Sequence, residues 1–342
     1  MKKRELGRSG LKVAPLALGG NVFGWTVDEP TSRSLLDAFV AAGFNLIDTA
    51  NVYSYWVPGN RGGESETILG SWLRRRPGMR QNVLIATKVG FAAIPEQCSL
   101  SPTDILREAE LSLKRLNTDY IDLFQSHIDD ARTPLENTLE AYEKLIRDGK
   151  VRVIGASNYT ASRLTQALRT SAAAGYPRYE SFQPAYSLYD RTSFEGDLQG
   201  VCQSEQLGII THSSLARGFL TGKYRSRADL GQSPRGAFLD KLPNTTDVFD
   251  ARGLRILAAL DEVSDEMGAT PAQVSLAWLL AHGVTAPIAS ATTVEQLSEL
   301  VRGVTLELPL AALRLLDEAS LPEAQPAPLP AKALRRQLAN GS

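Results

Sequence analysis

The chain has 342 residues, 43% of them hydrophobic and 22% charged, so it can bury a large core and is not a disordered segment. Its formal net charge of −1 gives no long-range attraction to nucleic acid or to an anionic membrane surface. No apolar run approaches the roughly 18 residues of a membrane span, so neither a nucleic-acid-binding nor a membrane-spanning role is expected.

In chain order, the N-terminal MKKRELGRSG lacks the apolar stretch of a secretory signal. RELGRSGLKV (4–13) reads as a hairpin turning around Gly7–Gly10. Eight short apolar runs follow: PLALGG (15–20), NLIDTA (45–50), VLIATKV (83–89), YIDLFQSH (120–127), VRVIGASN (151–158), SFQPAYS (181–187), GIITHSS (208–214) and TAPIAS (285–290). Amphipathic stretches of helical period separate them, the pattern of repeated βα units and a parallel sheet. Helix starts are legible at Ser101-Pro102-Thr103-Asp104 and Thr270-Pro271-Ala272-Gln273. Thr133-Pro134-Leu135-Glu136 reads as a capping box. Its helix places Leu135, Leu139, Tyr142 and Ile146 on one face and stops at Gly149.

Eight strands with intervening helices predict a (β/α)8 barrel, a TIM barrel, over residues 1–321. A doubly wound sheet is disfavoured, because LALGGNVFG (16–24) lacks the GxGxxG spacing that opens a dinucleotide-binding helix. The polar segment 224–252 follows the seventh run, where barrel enzymes carry substrate-selecting loops; an unstructured connector is the alternative. From 322 to 342 the chain is rich in Ala, Pro and Leu, with four prolines in 322–330, and reads as a C-terminal tail. Cys98 and Cys202 are isolated, without metal spacing, and fit free thiols in a reducing, cytoplasmic setting.

Four residues at or just past strand ends carry the chemistry: Asp48, Tyr53, Lys88 and His127. A free phenol has a pKa of about 10 and is a poor acid near neutrality. A buried ammonium beside Tyr53 is expected to favour its phenolate, and a shift of roughly three units corresponds to about 4 kcal/mol. Asp48 would keep Lys88 charged and in place, and His127 would hold a substrate carbonyl oxygen against the phenol.

This arrangement resembles the aldo-keto reductases over residues 4–315. The likeness rests on NLIDTANVYS (45–54) with GGESE (62–66), IATKVG (85–90), DYIDLFQSH (119–127) and GKVRVIGASNY (149–159). It implies a TIM barrel whose N-terminal hairpin covers the bottom, and an NAD(P)H-dependent carbonyl reductase with Asp48, Tyr53, Lys88 and His127 as its catalytic tetrad. The same resemblance assigns the cofactor. Gly20, Asn21 and Asp48 lie along it, Ser157, Asn158 and Gln183 meet the nicotinamide carboxamide, and HSSLARGFLTGKY (212–224) supplies His212, Ser213, Ser214, Leu215, Arg217 and Lys223. Ser290, Thr292 and Gln296 in PIASATTVEQLSEL (287–300) fall at the adenosine 2′-phosphate.

Departures from the family pattern bear on the cofactor. His212 stands where relatives carry a stacking tyrosine or tryptophan, and it is expected to take a proton near pH 6.5 and so weaken binding of the oxidised cofactor. Ser290 replaces a common glycine, Leu300 replaces an asparagine, and no arginine lies in 287–300. NADP(H) is the expected cofactor, with NAD(H) open. Trp25, Phe23, Tyr55 and Trp56 are expected at a pocket mouth that suits an apolar or ring-bearing carbonyl compound, the partner being a small-molecule carbonyl or alcohol substrate. Two alternatives stand beside the reductase: a secondary-alcohol dehydrogenase working oxidatively, and a nucleotide-binding regulatory subunit of the potassium-channel beta type. The latter has no need of His127. The oligomeric state is open.

Overall fold

The computed structural model describes residues 2–92, 94–241 and 248–322. A two-stranded antiparallel hairpin, β1 (Arg4–Glu5) and β2 (Lys12–Val13), opens the chain. Gly7 and Gly10 both have positive φ in the turn between them. The hairpin buries Leu6, Leu11 and Val13 against the inner ends of the strands that follow, closing one mouth of the barrel.

Eight parallel strands close into the expected barrel in chain order: β3 (Ala17–Gly19), β4 (Leu46–Asp48), β5 (Leu84–Val89), β6 (Ile121–Ser126), β7 (Val151–Ser157), β8 (Tyr179–Gln183), β9 (Gly208–Thr211) and β10 (Ala286–Ala289). β10 pairs with β3, Ile288 opposite Ala17, and completes the ring. These strands are buried on both faces, which is why they read as near-continuous apolar runs. An outer layer of helices contributes most of the core, from Leu35, Leu36 and Phe39 on α1 (Glu29–Ala41) to Leu276, Trp278 and Leu279 on α9 (Pro271–Ala281).

Helix starts follow local chemistry. α3 (Pro102–Leu116) is capped by Ser101, whose hydroxyl accepts from the Asp104 amide, and α9 by a full capping box between Thr270 and Gln273. α4 (Leu135–Arg147) buries Leu135, Leu139 and Tyr142, with Ile146 partly buried, and the chain leaves it through Gly149 at φ 73°. The capping box expected at Thr133 does not form. Pro134 is the N-cap, and the Thr133 hydroxyl donates instead to Asp130 Oδ2 at 2.7 Å, a stronger acceptor already fixed by the Leu100 amide.

The remaining helices in chain order are α2 (Glu64–Arg75), α5 (Ala161–Ala174), α6 (Asp197–Ser204), α7 (Pro234–Lys241), α8 (Ala251–Met267), α10 (Val294–Gly303) and α11 (Leu310–Ser320). The connector reading of 224–252 fails over its described part. A capped 3-10 turn, Arg227–Gln232, leads into α7, while 242–247 lie outside the described residues. Of the tail expected at 322–342, only Pro322 is described. Cys98 and Cys202 are both free and buried. Among the described residues no helix is long and apolar enough to cross a membrane, and no cluster of His, Cys, Asp and Glu could hold a metal ion.

Candidate active site

Strand register brings the four polar groups together. Asp48 ends β4 opposite Gly19 and Ala86, and Lys88 lies two residues along β5 from Ala86, so both point into the barrel. Lys88 is 0% and Asp48 2% exposed. The Lys88 ammonium donates to both Asp48 oxygens at 2.8 Å, to the Thr49 carbonyl at 2.8 Å and to Tyr53 Oη at 2.9 Å. Three N–H donors are thereby fully engaged. Tyr53 comes from the turn after β4, where Ser54 takes φ 74°, and its hydroxyl donates to Asp48 Oδ2 at 3.2 Å. His127 follows β6, held by its amide to the Val89 carbonyl, with its ring edge-on to Tyr53 at 6.2 Å between centroids.

The electrostatics differ from the expectation in one respect. Burial, with the Asp48 carboxylate alongside, pushes the Tyr53 phenol well above its ordinary value rather than below it. The ammonium is spent on Asp48, so the pair presents little net charge to the phenol. Burial also pulls Lys88 below its usual range, with Asp48 acting against the shift. Burial, then Lys88 and His212, push His127 well below 6.5. The free protein therefore holds a neutral, proton-bearing phenol beside a neutral imidazole.

Asp48, Tyr53 and His127 sit at the floor of a cavity of about 750 Å3, with Lys88 buried behind them. Asn21, Asp48, Tyr53, His127, Asn158, Gln183, His212, Ser213, Ser214, Leu215, Arg217, Lys223, Ser290, Thr292 and Gln296 are among its lining residues. Gly20, Ser157 and Lys88 are not. The Gly20 carbonyl faces outward to Ser65 Oγ, and a Cβ there would fall 2.8 Å from that oxygen. Ser157 Oγ donates to the Gln183 carbonyl at 2.7 Å and receives Asn158 Nδ2, so it acts on two wall residues from behind. Gln183 in turn donates to Asp48 Oδ1 at 2.9 Å. Ser290, at the glycine position, bonds the Gly19 carbonyl and Asn21 Oδ1, and it fits because Gly19 has no side chain for it to meet.

After β9 the chain turns sharply, with Ser213, Ala216 and Arg217 all in the left-handed region that non-glycine residues rarely occupy. His212 bonds Ser213 Oγ through Nδ1 at 3.2 Å, and its buried Nε2 has no partner. Burial, then Lys88 and Arg217, lower its pKa to about 4. The expected protonation near pH 6.5 is thus corrected: His212 stays neutral because burial disfavours its charged form, and the nearby Lys88 and Arg217 add to that.

Sequence reading missed Arg235. It sits in the first turn of α7, reaches the cavity, and stacks 4.8 Å over the Trp25 ring. Burial, with Arg217 nearby, pulls its guanidinium below the ordinary value. Only the uncovering of α7 could have flagged it, since SPRG carries no motif. Arg217, Lys223 and Arg235 make no ion pair among the described residues, so the wall carries cations in want of anions. Of the four aromatics expected at the mouth, Trp56 lines the cavity and Trp25 packs edge-on against it at 5.6 Å. Tyr55 packs on Trp56 and Phe91, and Phe23 is core at 0% exposure.

The sequence profile described as "Aldo/keto reductase family" matches residues 15–320. The chain belongs to the aldo/keto reductase family. It is 35% identical over 327 residues to the uncharacterized oxidoreductase YrpG of Bacillus subtilis (strain 168), covering 93% of this chain and 95% of that one. It is 32% identical to a probable voltage-gated potassium channel subunit beta of Arabidopsis thaliana, covering 93% and 95%. Aldo-keto reductase yakc [NADP(+)] of Schizosaccharomyces pombe is 31% identical, with 85% of this chain and 83% of the relative covered. This aldo/keto reductase is accordingly an NAD(P)H-dependent oxidoreductase. Its cavity suits a dinucleotide: among the described residues Arg217, Lys223 and Arg235 make no ion pair and can meet phosphates, and buried nitrogens on His127 and His212 lack a partner.

Proposed function

We propose that the protein reduces a small aldehyde or ketone to an alcohol with NADPH, Tyr53 acting as general acid. The observation that carries this reading is the closed set of contacts among Asp48, Lys88 and Tyr53 at the cavity floor beside His127. Bound reduced nicotinamide supplies the hydride. Tyr53 and His127 hold the carbonyl oxygen between them, and Tyr53 Oη gives up its proton as negative charge builds there. Lys88 Nζ, 2.9 Å away, stabilises the phenolate that remains, and Asp48 keeps the ammonium aimed. A phenol raised in pKa by burial stays loaded with its proton until that charge develops.

Asn158 and Gln183 are suited to the nicotinamide carboxamide, Ser213 to Leu215 with Arg217 and Lys223 to the pyrophosphate, and Thr292 with Gln296 to the 2′-phosphate. Arg235 adds a further cation for this anionic ligand. The potassium-channel names of some relatives suggest a regulatory nucleotide-binding subunit instead; the retained His127 beside Tyr53 supports turnover. The test is NADPH consumption with a panel of neutral and ring-bearing aldehydes and ketones. Tight NADPH binding without turnover of any of them would favour the regulatory reading, and faster alcohol oxidation would reverse the direction.

A further inference from the structure

Outside the barrel wall, a second row of polar groups backs the strand ends. Because side chains alternate along a strand, the neighbour of each inward-facing group points out toward the helices. Thr49, next to Asp48, donates to Ser65 Oγ at 2.8 Å. Ser126, next to His127, lies 2.8 Å from Tyr142 Oη and 2.9 Å from Tyr179 Oη. Thr87, next to Lys88, donates to Glu66 Oε1 at 2.6 Å.

Of these three links, that of Thr87 ends on a carboxylate, and solvent does not reach it: Glu66 is 0% exposed. Its other oxygen accepts from Arg115 Nε at 2.6 Å. Arg115 lies across Gly63, which enters α2 at φ 89° and whose Cβ would fall 2.6 Å from Arg115 Cδ. The first turn of α2 is therefore locked to β5 on one side and to α3 on the other. Burying a carboxylate is costly unless it is paired and hydrogen-bonded, and a glutamine, with a single acceptor oxygen, could not accept from both Thr87 and Arg115. The charge has a second beneficiary. Inside the barrel Lys88 faces Asp48, Tyr53, His127 and His212; from outside, α2 brings Glu66 and α3 brings Arg115, with Glu108 engaged on Asn51. Of the outer groups, Glu66 adds to Asp48 in favouring the ammonium.

We propose that Glu66 is a positioning residue of the active site, fixing the Lys88 ammonium against Tyr53 from outside the barrel through Thr87. The proposal rests on the reading of Tyr53 and Lys88 as the proton-delivery pair. Lys88 and Thr87 share one stretch of backbone, so releasing the Thr87 hydroxyl lets the strand end drift. A misplacement of about 1 Å at a reacting group can cost about a hundredfold in rate.

The experiment compares Glu66→Gln, Thr87→Val and Thr87→Ser with the parent enzyme, and carries Tyr53→Phe as a reference. It reads kcat for NADPH-dependent carbonyl reduction, its pH profile, NADPH affinity by tryptophan quenching, and thermal unfolding. Glu66→Gln and Thr87→Val should lower kcat by about tenfold or more at unchanged NADPH affinity, and Thr87→Ser should stay near the parent. Glu66→Gln should also move the alkaline limb of the pH profile to lower pH, since the ammonium loses support; a purely structural residue would leave that limb in place. If Glu66→Gln does not fold, the Thr87→Val and Thr87→Ser pair decides alone, because valine keeps the shape and serine keeps the hydroxyl. Folded Thr87→Val with parental kcat, or folded Glu66→Gln with parental kcat and pH profile, overturns the proposal. An active Tyr53→Phe instead removes the reading beneath it and takes the proposal down with it.

Discussion

Replacing His212 with phenylalanine should make the protein lose less stability in acid than its parent does. Buried in the cavity wall, His212 titrates at about 4 in the folded protein against an ordinary 6.5. Below about pH 6.5 the unfolded chain takes up a proton that the folded chain refuses until about pH 4, so the folded state loses ground as the pH falls through that window. Between about pH 7 and about pH 5, the cost integrates to about 2 kcal/mol for this one side chain. His127, also held below its ordinary value by burial, acts in the same direction in both proteins. Carboxylates held below their ordinary range, such as Asp104 and Asp130, lose their own contribution in both proteins and cancel in the comparison. The assay is denaturant unfolding of parent and His212→Phe at the two pH values. The gap between them should shift by about 2 kcal/mol in favour of the variant on acidification. Parallel loss in both proteins would mean that His212 charges freely in the folded state, and the electrostatic picture of the cavity would be wrong.

Lys88→Met should destabilise the fold by about 3–5 kcal/mol, because Asp48 is left buried without its counter-ion. Adding Asp48→Asn should recover part of that loss in chemical denaturation. Arg235→Ala should weaken NADPH binding by about tenfold or more, and the parent's affinity should fall with added salt more steeply than the variant's. Cys202, whose thiol burial pushes up to about 12, should resist alkylation near neutral pH until the protein is unfolded, as a thiol-labelling time course would show.

Much of the fold was legible because parallel barrel strands are buried on both faces. Every apolar run from PLALGG to TAPIAS overlaps one, even where β3 and β4 keep only three paired residues, although β8 begins two residues before its run. Asp48, Tyr53, Lys88 and His127 were legible as residue types at strand ends, and the register of β4 and β5 accounts for their meeting. What failed needed three-dimensional context. Thr133 has the spacing of a cap, yet Asp130 competes for its hydroxyl. Gly20 and Ser157 lie in matching segments but face away from the cavity, and one position along a strand is enough to reverse the side. The direction of the Tyr53 shift depends on its burial and on the Asp48 carboxylate beside it, which no local string reveals. Arg235 reaches the cavity only because α7 folds back over the rim from a polar stretch without a motif.

Tyr53→Phe tests the central claim most directly, with turnover and NADPH affinity measured side by side. The substitution removes one oxygen and leaves the ring contacts with Trp56 and His127 available. Carbonyl reduction should fall by about 10²–10⁴-fold while NADPH binds as in the parent. A Tyr53→Phe protein that turns over carbonyl substrates at the parental rate would contradict the assignment of the proton donor, and with it the roles given to Lys88, Asp48 and His127.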